Sequence, residues 1–219
     1  MDKREFIASV AAKYFHASDV VNLGIGIPSL CASYSERGVL FQSENGFIGV
    51  GLRPHDLMIN EGYFNAGGVP FIPAPGGAGF DVATSFGIIR SGRMAATVLG
   101  ALQVSEKGDL CNWATQGRSF GMGGAMDLVN GAKKVIVAME HCDKNGNPKI
   151  LKECTLPYTG RNCVNHIVTE LCVIDVTRKG LVLKELAAGH TVEEVQEKTE
   201  PTLIMAEEIK EMVPGVGEV

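Results

Sequence analysis

Val20-Val21-Asn22-Leu23-Gly24-Ile25-Gly26-Ile27-Pro28 leads into a helix-patterned stretch at 29–37. Gly38-Val39-Leu40-Phe41-Gln42-Ser43-Glu44-Asn45-Gly46 follows. The apolar runs at 20–23 and 38–42 are short enough for buried strands, and glycine bounds them. Two strands joined through a helix lie parallel, because the crossover returns the chain to the same end of the sheet. The segment therefore predicts a parallel α/β layer.

Outward from it, Phe6, Ile7, Val10, Ala11 and Tyr14 recur at helical spacing over 3–15. Downstream, Ala74-Pro75-Gly76-Gly77-Ala78-Gly79 is a glycine cluster of the kind that builds loops. A helix at 81–90 comes next, with Gly92 placed to end it. Strands are expected at 94–99, 101–104 and 110–114, the last two joined by a turn at 105–109. Gly121-Met122-Gly123-Gly124 opens a short helix at 125–130, closed by Gly131. The run 135–139 is apolar throughout, as in a strand covered on both faces. Strands follow at 165–168, 171–176 and 180–185. Thr191-Val192-Glu193-Glu194 is a capping box that opens a helix. A terminal helix is expected at 207–212, with a frayed tail at 214–219. No repeat or linker divides the chain. Residues 1–219 are expected to form one α/β domain: a mostly parallel open sheet, helices on both faces and some antiparallel strands.

The chain has 219 residues, 45% of them hydrophobic and 21% charged, which suits a soluble protein with a sizeable core. The net charge is -5 and no basic stripe appears, which argues against nucleic acid as a partner. No signal-peptide core and no apolar run of spanning length is present, so no membrane association is expected. Six cysteines, at 31, 111, 142, 154, 163 and 172, form no CxxC pair. Zinc-ribbon spacing is thus absent, and reduced thiols in a cytoplasmic protein are the expectation.

Glu44 is the strongest local candidate for chemistry. It follows an apolar strand, where open α/β sheets gather their sites. A carboxylate there can serve as base, metal ligand or nucleophile, or simply as a solvated turn residue. Asn45 offers an amide, and Gly46 permits close approach. The Gly121–Gly124 loop can aim backbone N–H groups at an oxyanion or phosphate, or be a tight packing loop. Gly24-Ile25-Gly26 lacks the third glycine of a dinucleotide fingerprint, and Gly76-Gly77-Ala78-Gly79 lacks the Gly-Lys-Ser/Thr of a phosphate loop. Arg90 and Arg93 could bind a carboxylate or phosphate, or be solvated or bound to their own helix's carbonyls. His141-Cys142 is a weak metal or nucleophile pair. His55 and His166 sit in no catalytic pattern, and neither a catalytic histidine nor a metal site is assigned.

In order along 7–199, these segments resemble the β subunit, or C-terminal half, of family I (3-oxoacid type) CoA-transferases. The resemblance is carried by Asn22-Leu23-Gly24-Ile25-Gly26-Ile27-Pro28, Gln42-Ser43-Glu44-Asn45-Gly46, Asn65-Ala66-Gly67, Ser85-Phe86-Gly87-Ile88-Ile89-Arg90 and Leu99-Gly100-Ala101-Leu102-Gln103-Val104. Gly108-Asp109-Leu110-Cys111-Asn112-Trp113, Gly121-Met122-Gly123-Gly124-Ala125-Met126-Asp127-Leu128-Val129, Gly131-Ala132-Lys133-Lys134, Met139-Glu140-His141 and Cys154-Thr155-Leu156-Pro157 complete it. It implies a fold related to the ribose-phosphate isomerase-like folds. It also implies Glu44 as nucleophile, forming an acyl-glutamyl anhydride and then a glutamyl-CoA thioester. Gly123 and Gly124 would supply an oxyanion loop, with Asn45 supporting. Gly24, Gly26, Gly46, Gly121 and Met122 would wall the CoA and acyl site.

Coenzyme A would be a substrate, with no permanently bound cofactor. An α subunit would complete the site in an α2β2 or larger hetero-oligomer, and this chain by itself would be inactive or weakly active. Short-chain acids and 3-oxo acids, such as acetate, butyrate and acetoacetate, are the implied substrates. The stretch 53–64, Gly68, Arg93 and Tyr158 depart from the usual pattern and leave the acyl group open. Competing readings are an acyl-CoA hydrolase, a non-catalytic ligand-binding member of the same fold, and a sugar-phosphate isomerase using Glu44 as base. The last would call for phosphate loops rich in Ser and Thr, which are not found.

Overall fold

The computed structural model describes residues 1–51, 62–115, 117–119 and 121–215. Helix α1 (Lys3–Ala12) is opened by a reciprocal cap: Asp2 accepts from the Glu5 N–H at 2.8 Å, and Glu5 accepts from the Asp2 N–H at 2.9 Å. Its buried stripe includes Ile7, Ala8, Val10 and Ala11. Strand β1 (Val20–Leu23) precedes a short helix α2 (Ile27–Leu30), with Pro28 in the first turn, and a 3-10 turn Cys31–Tyr34. The expected helix at 29–37 therefore starts earlier and tightens after one turn. Then come β2 (Leu40–Ser43), β3 (Phe47–Val50), β4 (Pro73–Gly79), α3 (Val82–Arg90) and β5 (Ala96–Leu99). The middle continues with β6 (Gln103–Ser105), β7 (Leu110–Cys111), β8 (Ala114–Thr115), β9 (Arg118–Ser119), α4 (Ala125–Gly131) and β10 (Val135–Ala138). The last elements are β11 (Ile150–Leu151), β12 (His166–Val168), β13 (Cys172–Thr177), β14 (Gly180–Leu186), α5 (Val192–Glu197) and β15 (Ile204–Glu211).

Among the described residues, ten strands form one sheet in the order β15-β14-β13-β12-β10-β5-β1-β2-β3-β4. Its centre, from β12 to β2, is parallel, and antiparallel pairs extend it on both sides. Side chains alternate across this centre, as the strand period requires. On β10, Val135 and Val137 enter one core with Ile89, Leu128, Ile167 and Ile174, on the side of α3 and α4. Ile136 and Ala138 enter the other core, with Ile7, Val10, Val21 and Val98, against α1. Both faces are thus covered, as an α/β layer demands.

Three expectations give way. The glycine cluster at 74–79 is strand β4, paired antiparallel with β3. Glycine permits that pairing: a Cβ on Gly49 would lie 2.8 Å from the Gly77 Cα, and Gly49 has φ +86. Phe47 covers Gly77 and Gly79, filling the space side chains would otherwise take. The terminal helix expected at 207–212 is strand β15, parallel to β14. An irregularity between Leu183 and Glu185 shifts the register there. Pairing with an open sheet edge outweighs helical spacing. The strands expected at 101–104 and 110–114 shorten to β6, β7 and β8. β6 and β7 leave the main sheet for a three-stranded one with β11. At the tail, Gly215 donates to the Ser9 carbonyl at 3.2 Å, so the chain is held that far. Residues 216–219, His55 and most of 53–64 lie outside the described residues.

Candidate active site

The main chain reverses after β2 through Ser43-Glu44-Asn45-Gly46, with Gly46 N–H donating to Ser43 O at 3.0 Å. Only glycine fits at the last position: a Cβ on Gly46 would overlap Phe80 O, and its φ is +123. This turn sets Glu44, half-buried, at the carboxyl end of β2.

A buried polar chain lies beneath it. Asn22 on β1 is fully buried, and its Nδ2 donates to Glu44 Oε2 at 3.1 Å and to Gln42 Oε1 at 2.8 Å. Gln42 Nε2 donates to Ser85 Oγ at 2.8 Å, and the Thr97 hydroxyl donates to Asn22 Oδ1 at 3.5 Å. Strands β5, β1 and β2 and helix α3 thus hold the carboxylate from inside the sheet. Sequence reasoning missed Asn22, Gln42, Ser85 and Thr97. The available signal was a polar residue within or at the end of an apolar strand run (Asn22, Gln42, Thr97) or inside a helix (Ser85). The other Glu44 oxygen, Oε1, has no donor among the described residues.

Glu44 and the glycine loop come together. A Cβ on Gly124 would stand 3.5 Å from Glu44 Cγ and 3.0 Å from Phe86 Cζ, so the loop backbone lies directly against the carboxylate stem. Gly121 and Gly123 turn at φ +84 and +52. Met122 between them is 43% exposed. Gly124 caps α4, and Arg90 on α3 is paired with Asp127 on α4 at 2.7 Å, which ties the loop's helix to the helix under Glu44. Arg90 is thereby occupied, while Arg93 is exposed.

The remaining residues divide. The Asn45 side-chain amide donates to Phe64 O at 2.8 Å. Ser43 Oγ accepts from the Ala66 N–H at 2.9 Å, and a Cβ on Gly67 would meet Ile25 at 3.3 Å. The 65–67 turn therefore bridges the Glu44 strand to the loop after β1. That loop borders a 490 Å³ crevice lined by Ile25, Gly26, Gly100, Met139 and Lys149 among others. The crevice opens at the carboxyl ends of β1 and β5, where the chain, having gone out through β2, returns on the other side. This is the switch point at which α/β sheets bind ligands. Gly24 is not part of this lining; it packs on Val98 O and Leu99.

The His141-Cys142 pair does not form a reactive centre. Both His141 ring nitrogens are bonded to threonine hydroxyls, Thr169 at 3.0 Å and Thr199 at 2.9 Å. Burial, then the nearby Lys198 and Lys149 charges, push its pKa down to about 4. Burial pushes the Cys142 thiol up. Among the described residues no group of His, Cys, Asp and Glu could hold a metal ion. No described helix is long and apolar enough to cross a membrane.

Comparison with known proteins gives the family. The chain is 46% identical over 216 residues to the beta chain of the acetate CoA-transferase of Haemophilus influenzae, covering 97% of this chain and 96% of that one. It is 45% identical to one of the subunits of the succinyl-CoA:3-ketoacid coenzyme A transferase of Helicobacter pylori, covering 90% and 96%. Its fold matches a crystal structure of the acyl-CoA transferase YdiF of Escherichia coli O157:H7, with a TM-score of 0.79 at 19% identity. That match covers 97% of this chain, which spans 43% of the longer protein. Residues 4–198 match the family described as coenzyme A transferase, and the chain belongs to that family.

Proposed function

We propose that this chain is the catalytic β subunit of a CoA-transferase that moves CoA from a short-chain or 3-oxo acyl-CoA to a carboxylic acid. The observation that carries the proposal is the placement of Glu44. One oxygen is fixed by a fully buried amide, the other lacks a donor among the described residues, and a glycine backbone lies against the stem. In the proposed reaction Oε1 attacks the thioester carbonyl, the C–S bond breaks and CoA leaves as thiolate. The thiolate then attacks the glutamyl carbonyl of the anhydride, the acyl carboxylate departs and a glutamyl-CoA thioester remains. A second carboxylate takes the CoA by the reverse steps. Holding the thiolate close favours exchange over hydrolysis. The N–H groups of Gly123 and Gly124 are assigned to the oxyanion that develops at each carbonyl.

An α subunit completes the site in this reading. Support comes from the Haemophilus and Helicobacter relatives, each of which is named as one subunit of its enzyme. Exposed Ile25, Val82 and Met122 flank the turn, helix and loop around Glu44 and suit a covered surface. Coenzyme A is substrate rather than resident cofactor. Acetate, butyrate and acetoacetate are the first acids to assay. The six free thiols fit a reducing cytoplasm.

The test is to mix the chain and its α partner with acyl-CoA, trap with borohydride, digest and weigh the peptide containing Glu44. A CoA-sized or reduced adduct is expected there and is lost in Glu44→Gln. Full transfer by Glu44→Gln would overturn the assignment. Release of free CoA without an acceptor acid would favour a hydrolase.

A further inference from the structure

A second cavity, of 870 Å³, lies at the other end of the sheet. Strand β13 runs antiparallel to β12, so the β13–β14 turn sits at the amino ends of the central parallel strands. Glu44 sits at their carboxyl ends. The cavity is therefore remote from the proposed reaction.

Its walls carry an excess of positive charge. Lys107 comes from the β6–β7 turn, Lys152 from the segment after β11, and Arg178 and Lys179 from the β13–β14 turn. Among the described residues, Glu106 is the one carboxylate in the lining. Among them too, no carboxylate lies within ion-pair distance of any of the four cations, although the chain carries a net charge of -5. Lys3, Lys13, Arg90 and Lys198, by contrast, each have such a partner. Four cations around one cavity, against one carboxylate, give it a positive potential that favours an anion. The floor is apolar, from Val164, Val176 and Leu181, and Asn162 and Asn165 add amides at the wall. The volume suits a ligand of nucleotide size.

We propose that this cavity binds a small polyanion, a molecule of nucleotide size carrying two or more phosphate or carboxylate charges. Arg178 would make the paired contact and the three lysines would act as point charges. The site is independent of Glu44 and of the proposed transfer reaction.

The test is calorimetric titration of the full chain, by itself and with its α partner, using ATP, tripolyphosphate and citrate as probes. At least one is expected to bind saturably below about 1 mM, with affinity falling as salt rises. ATP above tripolyphosphate would assign the apolar floor to a nucleoside, and citrate above both would assign the site to carboxylates. The Arg178→Glu/Lys179→Glu variant is expected to bind about a hundredfold more weakly, roughly tenfold for each cation lost. Both residues are exposed turn positions, and an unchanged melting temperature would show that the fold is intact. Lys210→Glu, exposed on β15 and outside both cavities, and Glu44→Gln should leave binding unchanged. Absence of saturable binding by all three probes, or equal binding by the double variant, would overturn the proposal.

Discussion

The side-chain amide of Asn22 reaches Glu44 across 3.1 Å from a fully buried position one strand away. The same nitrogen also bonds Gln42, so one residue fixes both the carboxylate and the strand that carries it. Asn22→Asp keeps the shape but replaces the donor with an acceptor facing two acceptors. It is expected to cost about 1–3 kcal/mol of stability through unsatisfied buried groups. Adduct formation on Glu44 should fall at least about tenfold. Chemical denaturation and peptide mass analysis check the two effects, and wild-type adduct levels in Asn22→Asp would remove Asn22 from the site.

Gly124→Ala separates backbone from packing. Its φ of -83 suits any residue, so the backbone is unstrained. The added methyl meets Phe86 at 3.0 Å and Glu44 at 3.5 Å. Transfer rate is expected to drop at least about tenfold while the melting temperature moves by only a few degrees, about 1 kcal/mol. A rate within twofold of wild type would argue that the loop does not set the carboxylate's position.

Gly46→Ala should behave oppositely. Its methyl would overlap Phe80 O, at a φ of +123. Loss of at least about 2 kcal/mol is expected, from strain and overlap together. Equilibrium unfolding measures it, and a change below 0.5 kcal/mol, roughly the size of an ordinary surface effect, would show that the turn can relax.

His141 predicts an acid-side loss of stability. Its pKa falls from 6.5 to about 4 on folding, through burial first and the Lys198 and Lys149 charges second. Between those values the unfolded chain binds the proton and the folded chain does not. Stability is therefore full above pH 6.5 and declines as pH drops toward 4. The expected loss between pH 7 and 5 is about 2 kcal/mol. His141→Gln should lower the stability at neutral pH but flatten this slope, as read by melting curves across the range. Equal slopes in the two proteins would assign the acid sensitivity elsewhere.

The central strands were legible because short apolar runs stand at 20–23 and 38–42 beside glycine and at 135–139 between charged residues, and those runs became β1, β2 and β10 in a parallel sheet. β4 was not, because its glycines read as loop when they were serving a close strand contact at Gly49 and Gly77. β15 was not, because Met205, Ile209 and Met212 imitate a helical stripe while the deciding partner, β14, lies outside the segment. Glu44 and the Gly121–Gly124 loop were singled out by motif, but their contact depends on how α3 and α4 pack, which spacing does not encode. Asn22 and Gln42 stayed hidden because a lone polar residue in an apolar strand has no local signature of its partner.

The polar chain through Thr97, Asn22, Gln42 and Ser85 also sets how the site comes apart. It crosses the middle of the sheet, where opening requires parting β1 from both β5 and β2. Such regions exchange their amide hydrogens only through near-global opening. The machinery around Glu44 should therefore survive fluctuations that fray the outer strands and vanish only when the whole chain unfolds. For this half of the site, the temperature at which activity dies and the temperature at which the protein melts should coincide.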